Sequence, residues 1–260
     1  MPDFLEEMAA HSRARASDAK RRVPLHALRA KAEQSPGTRQ PAFASGELAV
    51  IAEIKRHSPA RGELNAHVDV AQRAQEYAAA GVAAISVLTE PSRFHGSLVD
   101  LSVARAAVQR PLLRKDFLVD PYQLYEARAH GADGVLLIAR LLDDPLLREL
   151  LALCDDLSLF ALVEAFDAAD VQRAQAANAH IIGINCRNLA DLSIDFKRFA
   201  ALRAGIDASR IAVAESGITT PAQFAQVAAL GYHAALIGSA LMQGRNGQAA
   251  LHALRSGVTP

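Results

Sequence analysis

The sequence predicts an α/β fold, a (β/α)8 TIM barrel preceded by an N-terminal helical extension. From Leu48 onward, short apolar runs rich in β-branched residues alternate with longer stretches of helical period, the pattern of repeated βα units around a parallel sheet. Eight such runs fit a barrel better than an open doubly wound sheet, which more often has fewer strands and a glycine-rich first turn for a dinucleotide. Polar residues fall at the ends of the runs, which is where a barrel of this type keeps its active site.

Taken in order, residues 1–47 form the extension and 48–260 the barrel. The extension holds two weakly helical stretches, Phe4 to Arg22 and Leu25 to Gln34, and then the breaker-rich segment Ser35 to Pro41. A solvated tail is one reading; Phe4, Leu5, Met8, Leu25 and Leu28 argue instead for docking on the barrel. The strands are expected at Ala49 to Ile54, Ala84 to Leu88, Pro111 to Lys115, Gly134 to Ala139, Phe160 to Glu164, Ile181 to Asn185, Ile211 to Glu215 and Ala234 to Ile237. Between them lie helical patterns such as Val70 to Ala80, Pro121 to His130, Pro145 to Asp155, Ala168 to Ala177 and Pro221 to Leu230. Several open on Asp, Thr or an early Pro, and Gly81, Gly131 and Gly231 stand where helices should stop.

With 260 residues, 51% of them hydrophobic, the chain can bury one large core and little more, so a single catalytic domain is expected. The formal net charge is zero, so no global field draws the protein to nucleic acid or to an anionic membrane, and any anion must be bound locally. No apolar run reaches the roughly 20 residues that span a bilayer. Cys154 and Cys186 suit a reducing compartment without a disulfide, and the expected location is cytoplasmic.

The first run ends in Glu53, Lys55 and Ser58, the third in Arg114, Lys115 and Asp116, and the fifth in Glu164. The sixth ends in Asn185 and Arg187, the seventh in Glu215 and Ser216, and the eighth in Gly238 and Ser239. A single charge in such a place is ordinarily a rim residue; six run ends aiming polar groups at one mouth are harder to dismiss. Period two puts Glu53 and Lys55 on one face, and likewise Asn185 and Arg187. An interior salt bridge from Glu53 to Lys55 or Lys115 is the structural alternative, but barrel interiors are normally filled by Val, Ile and Leu, and buried charges are costly unless paired or used. Glu215-Ser216-Gly217 and Gly238-Ser239-Ala240 follow the seventh and eighth runs, where barrels frequently hold a substrate phosphate. Gly217 and Gly238 permit close backbone approach, and Ser216 and Ser239 carry hydroxyl donors.

The run Ala52-Glu53-Ile54-Lys55-Arg56-His57-Ser58-Pro59-Ala60-Arg61-Gly62 resembles the first-strand signature of the indole-3-glycerol phosphate synthase family, and Leu113-Arg114-Lys115-Asp116-Phe117 resembles its third-strand signature. Further similarities are Leu162-Val163-Glu164, Ile182-Gly183-Ile184-Asn185-Cys186-Arg187-Asn188-Leu189, Ala214-Glu215-Ser216-Gly217-Ile218 and Leu236-Ile237-Gly238-Ser239-Ala240-Leu241-Met242, in the family's order. The sequence departs from the family pattern at Ala60, where a second Ser is common, at Cys186, and at Ala165-Phe166, where Val-His is frequent.

The resemblance implies that 1-(2-carboxyphenylamino)-1-deoxyribulose 5-phosphate is closed, decarboxylated and dehydrated to indole-3-glycerol phosphate, with no cofactor and no metal. It also implies that the N-terminal helices help to cover the mouth. Lys115 is then the acid for ring closure, Lys55 and Glu164 are candidate acid and base for dehydration, and Glu53 and Glu215 order the polar network. Arg187 and Asn185, with Ser58, would orient the carboxylate; Phe94, Phe117 and Leu136 would wall the aromatic ring, core packing being an equal alternative for these three. Ser216, Gly217, Gly238 and Ser239 would bind phosphate, with Lys55 reaching the same group. The expected partner is a small phosphorylated substrate, with the chain a monomer or weak homo-oligomer. Rival readings remain at this level: a phosphosugar aldolase with Lys55 or Lys115 as Schiff-base nucleophile, a sugar-phosphate isomerase, or a degenerate barrel that binds without turnover.

Overall fold

The computed structural model describes residues 4–43, 46–188, 192–244 and 246–256. Leu189 of the sixth-run motif and the ends of the expected segments, 1–3 and 257–260, lie outside these residues. The barrel strands are β1 (Ala49–Ile54), β2 (Ala84–Leu88), β3 (Leu112–Lys115), β4 (Gly134–Ile138), β5 (Phe160–Ala165), β6 (Ile181–Asn185), β7 (Ile211–Glu215) and β8 (Ala234–Ile237). All pair in parallel with their chain neighbours, and β8 closes on β1.

The near-continuous apolar runs are explained by burial on two sides. Ile51, Leu113, Leu136, Leu162, Val213 and Leu236 pack inside the barrel. Val50, Ala52, Val87, Val135, Val163 and Ala235 face the surrounding helices. The strand bounds differ from expectation at three places. Pro111 has no N–H for the ladder, although its carbonyl accepts from the Ile85 amide at 2.9 Å. Ala139 opens a 3-10 turn to Leu141 instead of ending β4, and β5 runs on to Ala165.

Helix starts follow local chemistry. The side chains of Asp69, Asp143, Asp167 and Thr220 each accept a backbone N–H of the first turn they precede, and Thr220 forms a reciprocal capping box with Gln223. The sequence patterns did not single out helices Leu98–Ala107, Lys197–Arg203 and Gly247–Ser256, the short turns Pro91–Phe94 and Ser239–Met242, or the hairpin that pairs His57–Ser58 with Gly62–Glu63.

The extension contains α1 (Phe4–Arg22) and α2 (Leu25–Glu33). Leu5 and Met8 of α1 join the interior core cluster, and Phe4 packs against it. Ser12 Oγ donates to the Phe117 carbonyl and accepts from Gln123 Nε2 at 2.8 Å. Arg15 forks onto Asp116 at 2.7 and 3.1 Å. The α2 helix lies along the outer helix Tyr122–Ala129. Beyond it, Thr38 donates to the Ser158 carbonyl at 2.7 Å and the Arg39 amide donates to Asp133 at 2.9 Å, at the starts of β5 and β4. Phe43 then packs on the interior core. The extension therefore starts at the mouth, descends outside the barrel and crosses its base before entering β1.

Candidate active site

Strand register determines which polar groups meet. Glu53 stands opposite Ser86, Lys115 opposite Leu88, Glu164 opposite Ile138 and Glu215 opposite Asn185. All point inward near the C-terminal ends, so the interior is apolar below and ionic above. Lys55 Nζ lies 2.5 Å from Glu53 Oε1, and Lys115 Nζ lies 3.7 Å from Glu164 Oε2. Each lysine thus has a different carboxylate for a partner.

Burial alone would raise the Glu53 carboxyl, but Lys55 and Lys115 outweigh it and hold the group below the usual carboxylate range. Burial alone would lower the Lys115 ammonium, yet Glu164, Glu215 and Glu53 together hold it above the ordinary lysine value. Glu215 is pushed well up, first by burial and then by the neighbouring Glu164, against the opposing pull of Lys115.

Above this ionic layer is a cavity of about 310 Å³, in the size range of small-molecule sites. Glu53, Lys55, Ser58, Phe94, Lys115, Asn185, Arg187, Glu215, Ser216, Gly217, Gly238 and Ser239 all line it. A side recess of about 60 Å³ adds Phe117, Leu136 and Glu164 and shares Phe94, Lys115 and Asn185 with the larger space. Every residue given a site role in the sequence thus reaches one of two adjoining cavities, whereas Arg114, read there as a polar strand end, is buried away from both, paired with Asp116 and Glu126. In the recess, Phe117 meets Phe4 edge-on at 6.0 Å and Phe94 at 6.2 Å. Phe117 and Leu136 belong to the interior core as well, so for them packing and lining are one role.

Two further regions line the larger cavity. After β6, the Arg187 amide donates to Asn185 Oδ1 at 2.9 Å, and one arm of the Arg187 guanidinium donates to the Leu192 carbonyl at 2.8 Å. Ser58 Oγ accepts the Arg61 amide at 3.2 Å, so its own hydroxyl proton can be offered elsewhere. After β7, Ser216 and Gly217 are both left-handed, at φ 70° and 73°. A Cβ at Gly217 would also sit 2.9 Å from Cys186 Sγ and 3.0 Å from Ile194, so glycine is required there on two grounds. At Gly238 a Cβ would collide with Glu53 Oε1 and stand 2.9 Å from Lys55 Nζ. The backbone of β8 therefore lies directly against the Glu53–Lys55 pair.

Sequence reasoning did not place Phe4, Arg61, Leu192, Ile194, Thr219 or Gln223 in the lining. Phe4 was visible only as an apolar residue of the extension, and beyond Leu189 the loop after β6 offered no signal. None of the departures from the family pattern replaces a residue assigned to proton transfer or phosphate binding. Ala60 lies on the exposed first loop, Cys186 donates its thiol to the Ser216 carbonyl at 3.3 Å, and the Phe166 ring lies under Arg140 at 5.1 Å. A Schiff-base lysine has to be made neutral by a lowered proton affinity; the raised value of Lys115 is the opposite of that requirement.

The family model described as indole-3-glycerol phosphate synthase matches residues 5–254. The chain is 45% identical over 242 residues to the indole-3-glycerol phosphate synthase of Parafrankia sp. (strain EAN1pec), covering 92% of this chain and 90% of that one. It is 50% identical over 196 residues to the namesake from Arthrobacter sp. (strain FB24), covering 75% and 72%. Among solved structures it is similar to thiamine phosphate pyrophosphorylase from Pyrococcus furiosus, with a TM-score of 0.59 and 16% identity over 80% of this chain and 94% of that chain, a likeness of fold alone.

Proposed function

Because the chain belongs to the indole-3-glycerol phosphate synthase family, we propose that its barrel mouth divides the family's reaction between two separately anchored lysines. The reaction converts 1-(2-carboxyphenylamino)-1-deoxyribulose 5-phosphate to indole-3-glycerol phosphate in tryptophan biosynthesis, making the chain a carboxy-lyase. The observation that carries the division is the pairing of Lys55 with Glu53 and of Lys115 with Glu164 in one cavity system.

Ring closure builds negative charge on a carbonyl oxygen, and Lys115 is the ammonium that meets it and gives up a proton. The aromatic ring enters the recess between Phe94, Phe117 and Leu136, which brings the closing carbon beside Lys115. Arg187, Asn185 and Ser58 hold the carboxylate until it leaves as carbon dioxide; a guanidinium suits it through its planar paired donors. In dehydration, Lys55 protonates the departing hydroxyl and Glu164 takes the ring proton. Glu53 keeps Lys55 in place, and Glu215 completes the interior network. Ser216, Gly217, Gly238 and Ser239 hold the phosphate at the far end, with Lys55 close enough to share it.

Helix α1 closes one side of the mouth through Phe4. The chain works as a monomer or weak homo-oligomer in the cytoplasm, on a small phosphorylated substrate, with no nucleic acid or membrane partner and no cofactor. Incubating the purified chain with the anthranilate-derived substrate should produce indole absorbance with release of one carbon dioxide per turnover. A substrate-dependent adduct trapped by borohydride, without indole formation, would instead favour the aldolase.

A further inference from the structure

Glu215 is 1% exposed, and among the described residues neither of its carboxyl oxygens has a hydrogen-bond partner; Glu164 Oε2 is likewise buried and without one. Lys115 stands 3.7 Å from that Glu164 oxygen, close enough for an ion pair and too far for a hydrogen bond. Buried oxygens left in this state are costly, and folded proteins rarely keep three of them together.

Strand β6 explains how the two carboxyls meet. Gly183 stands opposite Glu164 on β5 and opposite Val213 on β7. A Cβ at Gly183 would collide with Glu215 Oε1 and come within 3.0 Å of Glu215 Cδ. The missing side chain is therefore a gap through which Glu215 lies across β6 toward Glu164. Two ionised carboxylates have only acceptor oxygens and cannot bond to each other; one proton between them removes both problems.

The local charge balance agrees. The charged groups around Glu215 are Glu164 from β5, Lys115 from β3 and Glu53 from β1, and Glu53 in turn has Lys55 beside it and Arg187 farther out, while β8 sets Leu236 opposite Glu215. Lys55 is taken by Glu53 at 2.5 Å, so Lys115 alone faces both Glu164 and Glu215. We propose that Glu215 is a neutral carboxylic acid in the resting enzyme and donates its hydroxyl to Glu164, so that the pair carries one proton and one negative charge. This deepens the reading of Lys115 as the acid of ring closure and rests on it for its catalytic meaning.

Ring closure moves one proton from Lys115 Nζ to the carbonyl oxygen and leaves an uncharged amine. Two carboxylates beside that nitrogen would hold the proton where it is. With Glu215 neutral, one carboxylate does so, and Lys115 becomes a better acid while remaining charged at rest. The Glu215 hydroxyl proton stays in place throughout and takes no part in the net reaction.

Infrared difference spectroscopy of the full chain, wild type against Glu215→Gln at neutral pH without substrate, tests the proton directly. Wild type should show a protonated-carboxyl C=O stretch that Glu215→Gln removes and that titrates away only on the alkaline side. In turnover, the alkaline limb of the kcat profile that tracks this band should disappear in Glu215→Gln. Glu215→Leu, which cannot donate to Glu164, should be slower than Glu215→Gln by about tenfold or more. A wild-type spectrum lacking the band, or a band that survives in Glu215→Gln, overturns the proposal. The infrared measurement uses no substrate, so its result is independent of the reaction assigned to the site.

Discussion

Lys115, at the end of β3, reaches past β4 to within 3.7 Å of the Glu164 carboxylate on β5, whereas Lys55 is held at 2.5 Å by its own strand neighbour Glu53. The two ammoniums are thus fixed independently, and removing one leaves the other's partner in place.

That independence predicts different trapped species. Lys115→Met should stop the first chemical step, at a cost of roughly a hundredfold to ten-thousandfold in rate, with no cyclised compound formed. Lys55→Met should still permit closure and decarboxylation, so rapid-quench sampling should find a cyclised, still hydroxylated species. Accumulation of that species in Lys115→Met would reverse the assignment.

Gly238 should tolerate very little. Its Cβ would strike Glu53 Oε1, so even Gly238→Ala displaces the Glu53–Lys55 pair as well as crowding the proposed phosphate site. The Michaelis constant should rise and kcat should fall together while circular dichroism stays unchanged. An alanine variant with wild-type kcat would show that the backbone there serves binding alone.

Asp116 joins α1 to the barrel through Arg15 at 2.7 Å and is also paired with Arg114 at 3.2 Å. Burial alone would raise its carboxyl, but Arg114 and Arg15 hold it well below the usual carboxylate range. A depressed folded value means that the stability gained is fully present above the ordinary Asp titration near about 4, and is lost as pH falls below that toward the folded value. Asp116→Asn takes the anion from Arg15 and leaves the buried Arg114 with Glu126 alone, at 2.9 Å, and should cost about 3 kcal/mol or more in urea unfolding at neutral pH. The difference from wild type should shrink in strong acid; a constant difference down to low pH would exclude the ionic explanation.

Arg187→Lys keeps the charge but cannot both hold the Leu192 carbonyl and present paired donors to a carboxylate. It should raise the Michaelis constant by about tenfold or more, since 1.4 kcal/mol of lost binding is a factor of ten. Equal kinetics in the two forms would mark Arg187 as a rim residue.

The barrel was legible because its strands are buried on both faces, which leaves apolar runs that only polar strand ends interrupt; Glu53, Lys115, Glu164 and Glu215 stood out for that reason. Helix Leu98–Ala107 was obscured because Val99 and Val103 are exposed at 66% and 37%, putting apolar residues on its solvent face and blurring the helical period. Phe4 in the mouth and Arg15 on Asp116 were illegible for a different reason. Their partners are about a hundred residues downstream, and no local spacing encodes such a meeting. The proton on the Glu164–Glu215 pair depends on the gap at Gly183, which in sequence is one glycine in a strand.

The route of the extension from mouth to base also sets an order of events during synthesis. Ser12 waits for Phe117, 105 residues later, Arg39 for Asp133, 94 later, and Thr38 for Ser158, 120 later. A nine-residue helix such as α2 is marginal by itself in water. Helix α1 therefore emerges before the surface it docks on, and any nascent chain ending before Phe117 carries Leu5 and Met8 with that surface incomplete. In a chain made from its N-terminus, this leaves an apolar segment in need of protection until β5 has been made.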